Sequence, residues 1–103
     1  MIIYNTTFYV PKSLKEKFID FVKHEYLPEA LKDNFVDNPR LARIYSEDEE
    51  EESYSYALEL HAESLDDLEK WNCNKGSMLQ KLIMERFHQQ ILGFATVLLP
   101  ETL

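Results

Sequence analysis

The sequence predicts an α+β domain in which two β-α-β units build one antiparallel sheet with both helices on the same face. Three observations predict it. Four stretches have the side-chain alternation or apolar character of strands, two have apolar residues at helical spacing, and their order is strand-helix-strand-strand-helix-strand. The chain has 103 residues, of which 45% are hydrophobic, enough for one core. We therefore expect a single domain over residues 1–103.

The first β-α pair is predicted from alternation and helix signals. Ile2 to Val10 carries large or β-branched side chains on both faces, which indicates a central strand ending at Pro11. Ser13 and Glu16 have the spacing of a capping box, so a helix is expected to begin there. Pro28 is expected to kink or end this helix, because it lacks an amide donor and clashes with the preceding turn. The predicted buried stripe of the helix is Leu14, Phe18, Phe21, Val22 and Tyr26.

The middle of the chain predicts a hairpin with an acidic loop. Arg40 to Ser46 is the expected second strand and Ser53 to Ala62 the third. Residues 47–52 between them are all acidic, which indicates a solvated loop, although its role is left open. On the third strand, one row is apolar and is expected to face the helices: Tyr54, Tyr56, Leu58 and Leu60.

The last part of the chain predicts a second helix and a fourth strand. Ser64 with Asp67 is the expected helix cap. Asn72 to Gly76 is a poor helical sequence and should interrupt the helix. The almost wholly apolar stretch Ile91 to Leu99 is the expected last strand, and Pro100 follows it. The complete order is that of the ferredoxin-like fold, βαββαβ with a four-stranded antiparallel sheet.

Two helices cover only one face of such a sheet. The opposite face, here called the open face, is expected to hold large apolar side chains: Ile3, Tyr9, Leu41, Tyr45, Phe94 and Leu98. An exposed apolar surface of that size is typical of an interface. A homodimer that packs sheet against sheet is the simplest way to cover it, because two-fold pairs are the commonest oligomers.

Composition narrows the classes of partner and location. The net charge of −8 repels phosphate backbones, so no nucleic-acid partner is expected. Tyr54 and Tyr56 have the spacing of an RNA-recognition strand, but their surroundings lack its basic residue and glycines, and core aromatics are the better interpretation. No apolar run is long enough to span a membrane. A single cysteine, Cys73, excludes a disulfide within the chain, and a cytoplasmic location is expected.

Several stretches, present in every predicted strand, resemble a known family of bacterial domains. They are Met1 to Thr7, Pro39 to Ile44, Ser55 to Leu58, Arg86-Phe87 and Leu92 to Thr96. Together they resemble the domain of unknown function DUF4286. The resemblance implies a ferredoxin-like fold of the dimeric α/β-barrel type, and it implies no activity.

Polar residues among the apolar ones of the open face are the candidate ligand-binding set: Asn5, Thr7, Arg43, Glu59, His61 and Thr96. In a dimer they would line a partly desolvated space, where ligand sites with a few convergent polar groups occur. We therefore predict a homodimeric domain that binds a small molecule at the open sheet face. The alternative is a purely structural role, in which Arg43 and Glu59 form an ion pair across neighbouring strands.

Two other functions are kept open, and whether the chain is an enzyme is undecided. In a cofactor-independent monooxygenase or isomerase, His61 would act as the base, Glu59 would orient it and Arg43 would hold an enolate or carboxylate. Alternatively, the protein is a structural or regulatory interaction protein without a pocket. No residue spacing is typical of a zinc, calcium or phosphate site, so neither a metal nor a cofactor is expected. Cys73 has Lys75 as its only local cation, and a reactive role is not favoured.

Overall fold

The sheet is built around a central strand that is covered on one face only. The computed structural model describes residues 1–103. Its strands are β1 (Ile2–Pro11), β2 (Asp37–Arg43), β3 (Ser53–Ala62) and β4 (Leu92–Leu98). All pairings are antiparallel and the strand order is β2-β3-β1-β4. This is the predicted ferredoxin-like arrangement, with β2 and β4 at the edges.

Both helical segments lie on the same face of the sheet, and each contains a wide π-helical turn. The first segment comprises a 3₁₀ turn (Lys12–Leu14), α1 (Lys15–Phe21), a first π-turn (Val22–Tyr26) and α2 (Leu27–Ala30). The second comprises α3 (Leu65–Trp71), a second π-turn (Asn72–Gly76) and α4 (Ser77–Phe87). No helix of the protein combines the length and the apolar character required to cross a bilayer.

The core lies between the sheet and the two helical segments. Its largest fully buried side chains are Trp71, Phe18, Leu58, Leu60 and Val10. Phe8 and Tyr56 pack against Phe18, with ring centroids 5.2 and 5.6 Å from it. The indole Nε1 of Trp71 donates a hydrogen bond of 2.8 Å to the carbonyl of Ala30, which satisfies the one polar atom of the indole inside the core. The predicted apolar row of β3 and the predicted stripe of the first helical segment therefore do form the core, with Tyr54 and Leu14 half-buried at its edge.

One of the two predicted helix caps is present and the other is not. The Ser64 hydroxyl accepts the amide of Asp67 at 3.1 Å, as expected for an N-cap. Ser13 makes no capping bond, and α1 begins after Leu14 without a side-chain cap. The reason lies upstream: the Lys12 amide is still bonded to the Glu52 carbonyl at 3.0 Å, so the chain leaves β1 through a 3₁₀ turn.

Pro28 does not end the first helical segment, contrary to one of its two expected effects. The amide of Leu27 reaches back five residues to the carbonyl of Val22, which closes the first π-turn just before the proline. Pro28 then occupies the first turn of α2, where a missing amide donor costs little. The wide turn is thus the local adjustment that a proline inside a helix requires.

The second strand lies earlier than predicted and is turned over. It spans Asp37–Arg43 rather than Arg40 to Ser46, and Leu41 and Arg43 lie opposite Leu58 and Tyr56, on the helix side. The predicted open-face positions of Leu41 and Arg43 are therefore wrong, and Tyr45 lies beyond the end of the strand. Alternation identifies two rows but not which one faces the helices. Only the pairing with β3 decides that point.

Candidate functional site

The open face carries one row of polar residues that crosses all four strands. Arg40 of β2 lies opposite Glu59 of β3, Glu59 opposite Asn5 of β1, and Asn5 opposite Thr96 of β4. Thr7 and His61 lie on the same face, one row away on either side. Five of the six predicted site residues therefore share this face. Arg40 was missed, because alternation along the second strand does not show which of its two rows faces the helices.

Arg43, the sixth predicted residue, lies on the other face of the sheet. Its guanidinium carbon is 4.7 Å from the ring centroid of Tyr54, and the ammonium groups of Lys12 and Lys15 lie 5.3 and 5.8 Å from the same centroid. Arg43 is exposed and forms no ion pair. The predicted pairing with Glu59 is wrong, because Arg40 occupies the position opposite Glu59.

The predicted catalytic arrangement of His61, Glu59 and Arg43 does not form, since Arg43 lies on the opposite side of the sheet. His61 Nδ1 lies 3.5 Å from the Asn38 side-chain amide, and the Asn5 amide donates to the Thr7 hydroxyl at 3.2 Å. The open face thus offers hydrogen-bonding groups on a broad surface rather than a closed site. Apolar side chains flank the polar row at both ends: Ile3 and Leu98 at one end, and Tyr9, Ile44, Leu92 and Phe94 at the other.

A cleft of about 290 Å³ lies on the other side of β4, between the strand and the second helical segment. Its floor on β4 is formed by Gly93 and Ala95, which lie opposite Phe8 and Thr6 of β1. The wall is one face of α4 with the end of α3: Trp71, Leu79, Gln80, Ile83 and Met84. The cleft exists because the helices cover β1 and β3 but leave β4 exposed along its whole length. Its size is near the lower end of the range for small-molecule sites.

Backbone irregularities converge on this cleft. The first π-turn ends at Tyr26, and the second begins and ends at Asn72 and Gly76; all three residues line the cleft. His88, at the end of α4, also lines it and has a φ of 55°, a conformation that is unfavourable for a residue with a side chain. Both π-turns and strained backbone are frequent at functional sites. Two other recesses are each lined by residues of one π-turn, whereas the cleft is lined by residues of both and by His88.

The phenols of the cleft are held in their neutral form. Burial raises the pKa of Tyr26 far above its ordinary value, and burial also raises the pKa of Tyr4. The Tyr4 ring meets the Trp71 ring edge to face, with centroids 5.3 Å apart. These aromatic groups give the inner end of the cleft an apolar, uncharged lining.

The cleft residues were not predicted as a site from the sequence, although one signal exists. Gly93 and Ala95 are the small members of one row in a strand whose other side chains are large, a pattern that indicates close approach of another group. His88 and Met84 gave no local signal. Their contribution depends on how α4 lies across the sheet.

The sequence comparison decides the family of the chain. The model described as domain of unknown function DUF4286 matches residues 1–100. The chain belongs to this family. No curated protein matches its sequence significantly. The predicted resemblance is thereby confirmed, and it carries no assigned activity.

Two solved structures share the fold at low sequence identity. An ethyl tert-butyl ether d (ethd) family protein from Bacillus halodurans superposes with a TM-score of 0.71 and 16% identity, covering 98% of this chain and 100% of the other. A dimeric ferredoxin-like protein from an uncultured marine organism superposes with a TM-score of 0.61 and 14% identity, covering 100% and 99%. At these identities the likeness establishes the ferredoxin-like fold alone.

Proposed function

We propose that the protein is a small-molecule-binding domain whose ligand occupies the cleft between β4 and α4. The convergence of two π-turns, the strained His88 and the small residues Gly93 and Ala95 on one cavity supports this proposal. The cleft replaces the open face as the preferred ligand site, because the predicted set there loses Arg43 to the other side of the sheet.

The single tryptophan provides a direct test of binding. Trp71 lines the cleft and is 1% exposed, so a ligand that enters should change its emission. A fragment library of mixed charge is titrated into the wild type and into Ala95→Phe, which fills the floor. We expect the hits to lose at least about tenfold in affinity in Ala95→Phe, because the new ring occupies the ligand's space.

The matched control is Val97→Phe, on the same row of β4 but outside the cleft. It should bind the hits like the wild type. If no fragment alters Trp71 emission, or if both variants lose binding equally, the cleft is not a ligand site.

We also propose that the open face is covered by a second copy of the chain. Its apolar residues are exposed here, with Phe94 52% exposed, and the marine structural neighbour is described as dimeric. A polar row with one basic and one acidic residue, Arg40 and Glu59, matches a self-complementary interface, in which a two-fold axis can bring opposite charges together. The same face would then need no further partner.

Analytical ultracentrifugation tests the proposed dimer. The wild type should sediment with twice the chain mass, and Phe94→Lys should weaken the dimer by at least about tenfold, because it buries an unpaired charge. Val97→Lys lies on the opposite row of the same strand and is comparably exposed, at 43%, so it should remain a dimer. A monomeric wild type, or a Phe94→Lys variant that dimerises as tightly as the wild type, would refute the proposed interface.

We further propose that the protein is located in the cytoplasm. Cys73 is free and exposed, and an unpaired surface thiol is typical of a reducing compartment. We found no group of side chains that could hold a metal ion, and the proposed binding requires none.

A further inference from the structure

The charge of the cleft lining differs from that of the rest of the surface. The chain has 19 acidic and 11 basic residues, yet none of them lines the cleft. Three other recesses of the surface each contain several charged side chains, among them Lys12 and Arg43, Asp66 and Lys70, or Lys17 and Arg86. A charged ligand group entering the cleft would therefore lose hydration without gaining a counter-charge, which is costly.

The cleft is the space between a floor on β4 and a wall on α4, here called the slot. The two small residues of its floor are Gly93 and Ala95, beside Leu92 and Phe94, and a Cβ atom at position 93 would lie 2.9 Å from Cδ1 of Phe8. The glycine thus lets the Phe8 ring approach the strand closely. Opposite this floor, α4 contributes Ile83 and Met84, and a methionine side chain adapts readily to a flat apolar group.

The exposed polar side chains of the cleft lie on its helix side and at its mouth, whereas its other hydroxyl groups, those of Thr6, Tyr4 and Tyr26, belong to half-buried or buried residues. Asn72, Gln80 and His88 line the cleft and are themselves exposed, whereas Trp71 and Phe8 are buried. Aromatic edges at the inner end favour an aromatic ring, because paired rings attract each other beyond their buried area. The slot therefore has an aromatic inner end and a polar mouth without acidic, lysine or arginine side chains.

We propose that the ligand is an uncharged, flat aromatic molecule whose polar substituent points to the mouth formed by Asn72, Gln80 and His88. This inference rests on the proposed ligand cleft and specifies the chemical class that the cleft selects.

Four probes of one carbon skeleton test the class through Trp71 emission: naphthalenemethanol, naphthoate, naphthylmethylammonium and the saturated decahydro analogue of the alcohol. The neutral aromatic alcohol should bind best. Both ions should bind at least about tenfold more weakly, because their charge has no partner. The saturated alcohol should bind about twofold to tenfold more weakly, because it lacks the ring-ring interaction.

A second experiment introduces a positive charge at the mouth of the slot. Gln80→Lys should make naphthoate bind at least as well as the alcohol, because the new ammonium lies beside the carboxylate. Gln90→Lys, an exposed position outside the cleft, should leave the order of the four probes unchanged.

The outcomes separate this inference from the proposed function. If naphthoate or the ammonium probe binds the wild type as tightly as the alcohol, the uncharged class is wrong while the cleft remains a ligand site. The aromatic preference is wrong if the saturated alcohol binds equally well. If library fragments bind in an Ala95-dependent manner and none of the four probes does, only the class fails. If no compound binds at all, the proposed function fails with it.

Discussion

At the scale of single residues, the two glycines of the chain have opposite roles. Gly93 is required by packing: a Cβ there would lie 2.9 and 3.0 Å from two ring atoms of the buried Phe8. At Gly76 a Cβ would meet the Asn72 side-chain oxygen at 2.6 Å, but Asn72 is exposed and can rotate away. The absence of a Cβ atom is therefore required at position 93 but not at position 76.

Replacing each glycine by alanine tests this difference. Gly93→Ala should destabilise the protein by about 1–3 kcal/mol, because the core ring must shift to admit the methyl group. Gly76→Ala should be neutral or stabilise by up to about 1 kcal/mol, because alanine is the better helix former. Urea denaturation of both variants gives the comparison. Equal effects of the two substitutions would show that the Phe8 contact does not limit position 93.

At the scale of elements, an ion pair of the second π-turn holds the second helical segment against the first. The turn buries Lys75, whose side chain is 8% exposed and lies 3.0 Å from a Glu29 oxygen and 3.6 Å from an Asp33 oxygen. The hydrogen bond between Lys75 and Glu29 lowers the pKa of Glu29 and raises the pKa of Lys75. An ordinary helical interruption at Asn72 to Gly76 was predicted, but its widening into a π-turn and the burial of Lys75 were not.

This pair predicts a pH dependence of stability. Glu29 stabilises the fold above its unfolded pKa, and that contribution is lost as pH falls through the lowered folded pKa. Lys75 stabilises it below its own unfolded pKa, and that part is lost as pH rises through the raised folded pKa. The interaction should therefore be complete at neutral pH and vanish at both extremes.

A double-mutant cycle with Glu29→Gln and Lys75→Met, measured by thermal melting across pH, follows the coupling directly. The matched control is Lys32→Met in the same background, because Lys32 meets the same carboxylate at 3.6 Å but is 66% exposed. Its coupling should be smaller at every pH. A coupling between Glu29 and Lys75 that does not change with pH would contradict the ionic interpretation.

At the scale of the whole molecule, the sheet is covered unevenly. Nearly all residues of β1 and all residues of β3 are buried or half-buried, whereas every residue of β4 is exposed in the single chain. The β4 edge should therefore open more readily than the centre of the sheet. Both proposals concern this strand, because the cleft lies on one of its faces and the proposed dimer covers the other.

Hydrogen exchange tests this uneven stability. Amides of β1 and β3 that are bonded to each other should exchange most slowly, and those that join β4 to β1 should exchange faster at low protein concentration. Protection of β4 should rise with protein concentration, because dimerisation covers its open face. Phe94→Lys should remove that concentration dependence. If β4 is as protected as β3 at every concentration, the edge is stable without a partner.

The fold class and most of the core could be predicted from the amino-acid sequence. Burial follows the period of each element. The buried side chains could therefore be predicted from the alternation along β1 and β3 and from the helical stripe that includes Phe18 and Tyr26. The cap at Ser64 was equally readable, since it depends on residues three positions apart.

Which polar groups lie close together could not be predicted from the sequence, because it depends on how the elements pack. Arg43 lies on the helix side and Arg40 on the open face, because the register of β2 against β3 and the bulge after Asp37 are set by pairing between distant strands. The cleft likewise depends on how far α4 extends over the sheet, and no local pattern specifies that distance. Local periodicity fixes what is buried within each element, whereas the angle and register between elements fix the site.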